Sequence, residues 1–398
     1  MDDLGKNPGK VSETMEEQHD ENKEEDHGCF EFCRKSTWRE RGLILYGDLV
    51  ALFGFASFSI IVPFFPAAAE RKGVSSTTTG LIVGVFSLVA FLLGPIVGKY
   101  LPHIGLNRAI FGGTFLSGGV CLSFGFLDSI GTRIWFTTAA FMLRILQGLG
   151  FVFYFTTFFG IIVNFFPKSK GILLASLEIC TGIGLSIGPM IGGVFFNLGG
   201  FKLPFFVLGS VMIFLSFLSF KVLPSSSALD FHSVSLPGIK PLLLSFGSWV
   251  ICIALALISA AWGSFYPILQ PHVQDAFGMS ETDTALLYVV LTCSYSITGI
   301  LAGYISDRYP KWLKVELGLA LLVDVLGFLL LGPVSFLQIP RSLGLLIGSL
   351  ALIGISMAFT FIPTYGIMND EIRLAGYQDS IGTATLTAGI WNSMFSLG

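Results

Sequence analysis

Charge is the scarcest commodity in this chain. Only 12% of its 398 residues are Asp, Glu, Lys or Arg, against about 25% in soluble domains. Hydrophobic residues make up 53% and the mean hydropathy is +0.76, more apolar surface than a soluble core could bury. Histidine is nearly absent. His19, His27, His103, His232 and His272 all fall in tails or loops, so no haem, metal or catalytic histidine is implied. A Gly-x4-Gly-Lys-Ser/Thr loop is missing, which argues against ATP as the drive. Six cysteines are scattered without disulfide or zinc spacing. No basic face exists for nucleic acid. Nothing favours hydrolysis or redox work, so the chain does not read as an enzyme. No apolar signal core precedes Gly42, so the first span inserts uncleaved.

What remains is a set of apolar segments at the length a bilayer requires. They are expected near 43–66, 78–98, 106–126, 134–163, 171–197 and 201–222, and again near 242–269, 281–304, 312–333, 342–366 and 380–398: six, a break, then five. Residues 1–42 are polar and acidic, densely so over Glu16–Asp26, and read as a disordered cytoplasmic tail. Cys29 and Cys33 at its end are plain thiols or sites for acylation. A serine-rich linker, 223–241, separates a six-helix bundle (43–222) from a second bundle (242–398). Basic residues test the sidedness. Arg34, Lys35, Arg39, Arg41, Lys99, Arg108, Lys168, Lys170, Lys221, Lys240, Arg308, Lys311, Lys314 and Arg373 fall on the side of the N-terminus. Arg71, Lys72, Arg133, Lys202 and Arg341 fall on the other. The bias predicts a cytoplasmic N-terminus. Six plus five is odd; a two-fold repeat would want a twelfth helix, and the second bundle is expected to lack its last.

The densest text is Gly171–Gly193, which holds one carboxylate, Glu178, and then Gly184-x3-Gly188-Pro189-x2-Gly192-Gly193. So much glycine in a span suits close helix packing in lipid, and is expected to set this helix against the opposite bundle. The fourth span carries Arg144-x2-Gln147-Gly148. Arg144 lies about 15 Å along its span and Glu178 about 10 Å along the next, which predicts similar depth and an ion pair, static or proton-sensitive. Ionisable groups at such depth call for a partner or a cavity. Asp324, in the ninth span, is the other deep carboxylate, for proton coupling or structural hydrogen bonding; Asp48 sits close enough to its helix end to reach water. Two stretches match in position: Gly94-x3-Gly98-Lys99 after the second span, and Gly303-x3-Asp307-Arg308 after the eighth. In the second copy the acid can latch neighbouring helices at the cytoplasmic mouth; in the first, Gly98 stands where the acid would be. Trp262, Tyr266 and Tyr365, beside proline-kinked segments, are candidate pocket residues for an organic cation through ring-face attraction, with lipid-facing or core packing the alternative.

These motifs carry a resemblance. Arg144-x2-Gln147-Gly148 resembles the fourth-helix signature of the major facilitator superfamily, and Gly184-x3-Gly188-Pro189-x2-Gly192-Gly193 the fifth-helix signature of its proton antiporters. Gly303-x3-Asp307-Arg308 resembles the superfamily's cytoplasmic loop motif. Ser59-Ile-Ile-Val-Pro63-Phe-Phe-Pro66 is similar to the vesicular amine transporter family, and within it to the vesicular polyamine branch. The resemblance implies an all-α membrane fold of two pseudo-symmetric bundles, with eleven of an expected twelve spans visible. It implies a proton-driven antiporter that moves organic cations, polyamines foremost, out of the cytosol into an acidic vesicle or organelle, with no cofactor beyond the proton gradient and a monomer sufficient. Monoamine and acetylcholine carriers of the family have an aspartate deep in helix one, where this chain has Gly54-Phe55, and a late acid in helix eleven that 381–398 lacks. Alternatives are a plasma-membrane multidrug/proton exporter, or a transport-inactive relative serving as a sensor or structural partner.

Overall fold

In lipid every backbone amide must be paired within its own segment, so helices are the economical answer for this sequence. The computed structural model describes residues 36–223, 245–279, 281–332, 340, 342–377 and 380–398, and all but the connections are helical. The tail with Cys29 and Cys33, the bulk of the linker (224–244) and Arg341 lie outside the described residues, as does the side chain of Tyr266.

Twelve α-helices cover the eleven expected segments. The first span is two pieces, α1 (Trp38–Ser59) and α2 (Ile61–Arg71). The break falls at Ile60, three residues before Pro63 in the sequence. There follow α3 (Ser76–Ile104), α4 (Leu106–Phe124), α5 (Arg133–Phe165), α6 (Lys170–Gly199) and α7 (Lys202–Val222). The second bundle holds α8 (Phe246–Phe277), α9 (Glu281–Arg308), α10 (Leu313–Leu331), α11 (Leu343–Leu374) and α12 (Ile381–Leu397). The seventh span was expected to end near 269; α8 instead continues two turns further, to Phe277. Serine and threonine open many of the helices. Thr37 and Glu40 form a reciprocal capping box, and Ser75, Ser245, Ser342 and Ser380 each accept a backbone N–H three residues on. Gly105, at φ +90°, closes α3 and launches α4 in a conformation that favours glycine.

Among the described residues nine spans are long and apolar enough to cross a membrane. The other two helices fall short for visible reasons: α10 holds Lys314, Glu316 and Asp324, and α12 has 17 residues. In the first bundle α4 packs on α5 and α7, α3 on α5, and α1 on α6; in the second, α11 packs on α9 and α10, and α8 on α12. Two long seams join the bundles, α3 along α12 and α6 along α9, with α5 also touching α12. We call the face where α1 begins the near face. One apolar core runs through both bundles, from Leu43 and Val97 to Ile390 and Trp391. A second core, around Ile60, Phe65, Phe124, Phe136 and Phe205, belongs to the first bundle alone and fills its far end. Leu81, Leu88, Leu92 and Ile96 of α3, and Phe214 and Phe217 of α7, stay exposed on the outside, the surface that acyl chains would cover.

Candidate functional site

The α6–α9 seam is built from the near face inward. Gly171 and Gly303 lie backbone to backbone: a Cβ on Gly303 would come within 2.8 Å of the Gly171 carbonyl oxygen and 2.9 Å of the Ala175 methyl. Asp307 then reaches across, its two oxygens accepting the Gly171 and Ile172 N–H groups at 2.7 and 3.0 Å. Those are free donors of the first turn of α6, whose own cap residue, Ser169, makes no side-chain cap bond. The acid of one bundle thus caps a helix of the other. Arg308 lies over the Tyr309 ring at 5.9 Å. At the matching seam Gly98 faces Thr385 and Gly389, and Gly94 faces Gly389 and Ser393, while α12 is capped by its own Ser380. These neighbours put Gly98 at the place of Gly303, so the expected match shifts by one turn: Pro102, not Gly98, stands where Asp307 stands in the other copy.

Further inward the seam holds a small cavity, with room for little more than a water molecule in this conformation, lined by Glu178, Thr181 and Gly182 of α6, Leu291, Thr292 and Tyr295 of α9, Trp262 of α8 and Met357 of α11. Glu178 is buried at 7% exposure. Tyr295 donates to its Oε2 at 3.4 Å, and its Oε1 has no hydrogen-bond partner among the described residues. One turn on, Ser186 and Thr292 hydrogen bond across the seam at 3.0 Å. The Trp262 ring lies 5.7 Å from Phe361 and 6.1 Å from Phe395. A carboxylate with one bare oxygen beside an indole and hydroxyls combines negative charge, a ring face and hydrogen-bonding groups in one place. Among the described residues no three His, Cys, Asp or Glu side chains gather as a metal would need.

Other expected residues lie elsewhere. Arg144 does not meet Glu178. It is wholly buried, donates to Gln147 Oε1 at 2.7 Å and to the Val83 carbonyl at 2.9 Å, and is flanked by the Phe58 and Phe86 rings at 4.9 and 5.2 Å. The cause is length: α5 has 33 residues, about 50 Å. Arg144 therefore lies about 32 Å from the near end of α5, whereas Glu178 lies about 12 Å from the near end of α6. Gln147 passes the bond on to the Ser57 carbonyl at 3.3 Å, tying α5 to α1 rather than facing the cavity. Asp324 accepts from Ser356 at 2.7 Å, between α10 and α11. Tyr365 donates to the Ala384 carbonyl at 2.9 Å and packs on Phe159, in an aromatic layer with Trp391 and Phe395. Asp48 meets Ser176 at 3.2 Å.

The glycine signature of α6 does not face the opposite bundle. Gly184 lies against Leu52 and Ala56, Gly188 against Ser59 and Ala56, and Gly192 against Ile60 and Phe64, all in the first span. Spacing of four puts these three on one stripe of the helix, and the stripe toward α9 is the one holding Gly171, Gly182 and Ser186. Pro189 is accommodated inside α6, and Gly193 has open space where a side chain would go. Gly54 is filled by the Tyr154 ring of α5, whose Cζ would stand 3.0 Å from an added Cβ, so the first span has no room for a side chain there.

Two bundles of membrane-length helices, closed at one face and enclosing a cavity with a buried acid between them, define a secondary carrier. A family model described as the Major Facilitator Superfamily matches residues 48–398, and the chain belongs to that superfamily, a family of transporters and not of enzymes. "MFS-type transporter SLC18B1" of Rattus norvegicus is 33% identical over 347 residues, which is 86% of this chain and 74% of that protein. "Vesicular acetylcholine transporter" of the same species is 23% identical over 348 residues, 83% of this chain and 61% of that protein. Among solved structures, that of the human organic anion transporter MFSD10 (TETRAN) matches with a TM-score of 0.67 at 17% identity and covers 91% of each chain, a likeness of fold alone.

Proposed function

We propose that the protein is a proton-coupled antiporter that moves organic cations, polyamines foremost, out of the cytosol into an acidic vesicle. The observation that carries this reading is Glu178, a buried carboxylate with an unpaired oxygen in a cavity between the bundles. A proton and an ammonium group compete for that oxygen. Whichever face the cavity opens to decides the winner, and antiport follows from linked binding to two states. Trp262 and Tyr295 supply the ring faces and hydroxyl that suit a cation. Asp324, through Ser356 beside the cavity residue Met357, is a second proton-sensitive acid. Arg144 and Gln147 hold the first bundle rigid. The near face is cytoplasmic on the basic-residue bias, and the vesicular setting is supported by the likeness to the vesicular acetylcholine transporter. The bundles rock about the seams, with the first extending over 43–222 and the second over 242–398, and one chain suffices.

The test is uptake of a radiolabelled amine panel into proteoliposomes under an imposed pH gradient. Gradient-driven uptake of polyamines is expected, and Glu178→Gln should abolish it. Full gradient-driven uptake by Glu178→Gln would remove the coupling role. Preference for bulky aromatic cations over polyamines would point instead to a multidrug exporter.

A further inference from the structure

We infer that Asn392 of α12 is the second pole of the cation site, the pseudo-two-fold counterpart of Glu178, and that its amide oxygen takes the second ammonium group of a diamine whose first is held by Glu178. The inference rests on the cavity reading above and extends it to the opposite wall.

The correspondence comes from the seams. Gly98 lies against Thr385 and Gly389, as Gly303 lies against Gly171 and Ala175. One turn on, Gly94 lies against Ser393, as Gly299 lies against Ile179. A single alignment satisfies all these pairs: it takes Thr385 to Gly171, Gly389 to Ala175 and Ser393 to Ile179. The same alignment takes Asn392 to Glu178, so the two side chains leave their helices in the same direction relative to their seams. It also takes Ala90 of α3 to Tyr295 of α9. Where Glu178 meets a tyrosine hydroxyl, Asn392 meets an alanine.

That exchange explains a second, independent observation. Asn392 is 1% exposed, yet neither its Nδ2 nor its Oδ1 has a hydrogen-bond partner among the described residues. A buried amide pays its full desolvation when unpaired, and an apolar side chain of the same size would avoid the loss. Its neighbours on α12 are engaged: Trp391 donates to Thr364, Ser393 bonds the Phe91 carbonyl, and Phe395, one turn on, packs on the cavity tryptophan Trp262. A neutral amide oxygen accepts from an ammonium group without adding a second charge. The pair Glu178 and Asn392 therefore suits an α,ω-diamine better than a monoamine, and the Trp262–Phe395 contact links the helix of Asn392 to a lining residue of the Glu178 cavity.

The test is equilibrium binding of n-alkylamines and α,ω-diaminoalkanes of matched carbon count to the purified full chain in lipid nanodiscs, with chain length varied to read the distance between the poles. The wild type should prefer a diamine of one length over its monoamine. Asn392→Leu should lower that diamine's affinity at least tenfold, about 1.4 kcal/mol, leave the monoamine within twofold, and raise the melting temperature by removing the unpaired amide. Asn392→Asp should strengthen diamine binding, and serves where the leucine variant does not fold. Equal loss for monoamine and diamine, or no loss for either, overturns the inference. If Glu178→Gln binds amines as the wild type does, the cavity reading fails first, a separate result.

Discussion

The two oxygens of Glu178 sit in different surroundings, one bonded to Tyr295 and one bare, and the difference is open to measurement. Tyr295→Phe keeps the ring against Gly182 and removes only the donor. Losing one hydrogen bond to a carboxylate is worth about 1 kcal/mol, so amine affinity should fall roughly five- to tenfold in a binding isotherm while the protein stays folded. Arg144 makes the opposite case. A lysine there has no planar fork to serve Gln147 and the Val83 carbonyl together, nor to stack between Phe58 and Phe86. Arg144→Lys should cost about 2 kcal/mol of stability, read as a lower melting temperature in detergent, with amine affinity within twofold of wild type. Glu178 was legible in the sequence because a carboxylate inside a span demands a reason. Tyr295 was not, because aromatic residues are 14% of the chain and nothing local marks one ring as facing a cavity. That Arg144 and Glu178 do not pair is not legible in the sequence, because α5 and α6 run in opposite directions and α5 is far longer than the bilayer core, so similar distances from the two helix starts are different depths.

Elements show the same division between what a one-dimensional pattern fixes and what packing decides. Span positions came through because polar connections punctuate apolar runs plainly, but several ends did not: α3 runs six residues past its expected end, and α8 and α11 eight each, into residues whose character the pattern could not separate from a loop. The glycines of α6 were legible as a packing stripe but not as to which neighbour they serve. Periodicity tells which residues share a face, and only the assembled bundle tells what that face meets. A contrast within one motif tests the assignment. Gly184→Val drives a side chain into the Leu52 carbonyl and Ala56 of α1, and should destabilise by about 2–3 kcal/mol. Gly193→Val enters open space and should change stability by less than about 0.5 kcal/mol. Thermal unfolding followed by size-exclusion of the detergent-solubilised variants separates the two.

For the whole molecule, the charged tie between the bundles lies at the near face, where Asp307 of α9 holds the first turn of α6. The sequence announced both ingredients, the acid and its glycine four residues before, because the motif repeats after the second and eighth spans. It did not announce the asymmetry between the seams, since that depends on Ser380 capping α12 locally while Ser169 leaves α6 to be capped from across the interface. One seam is therefore tied by a charge and the other by close backbone packing and the neutral Ser393 bond to the Phe91 carbonyl, and weakening the charged tie should open the near face along α6 and α9 first. A charged cap of this kind is worth about 1–2 kcal/mol, which converts to roughly a 5- to 30-fold change in the open population. A reporter cysteine placed by Ile172→Cys, in a background without Cys29, Cys33, Cys121, Cys180, Cys252 and Cys293, reads that population through its rate of alkylation by a membrane-impermeant maleimide added to the near face. Asp307→Ala should raise the rate by that factor. Asp307→Asn, which keeps one acceptor but no charge, should fall between. A companion reporter on the other seam, placed by Ser393→Cys, should change by less than twofold in either variant. Equal acceleration at both seams would mean that the bundles part as a whole and that Asp307 has no special hold on α6.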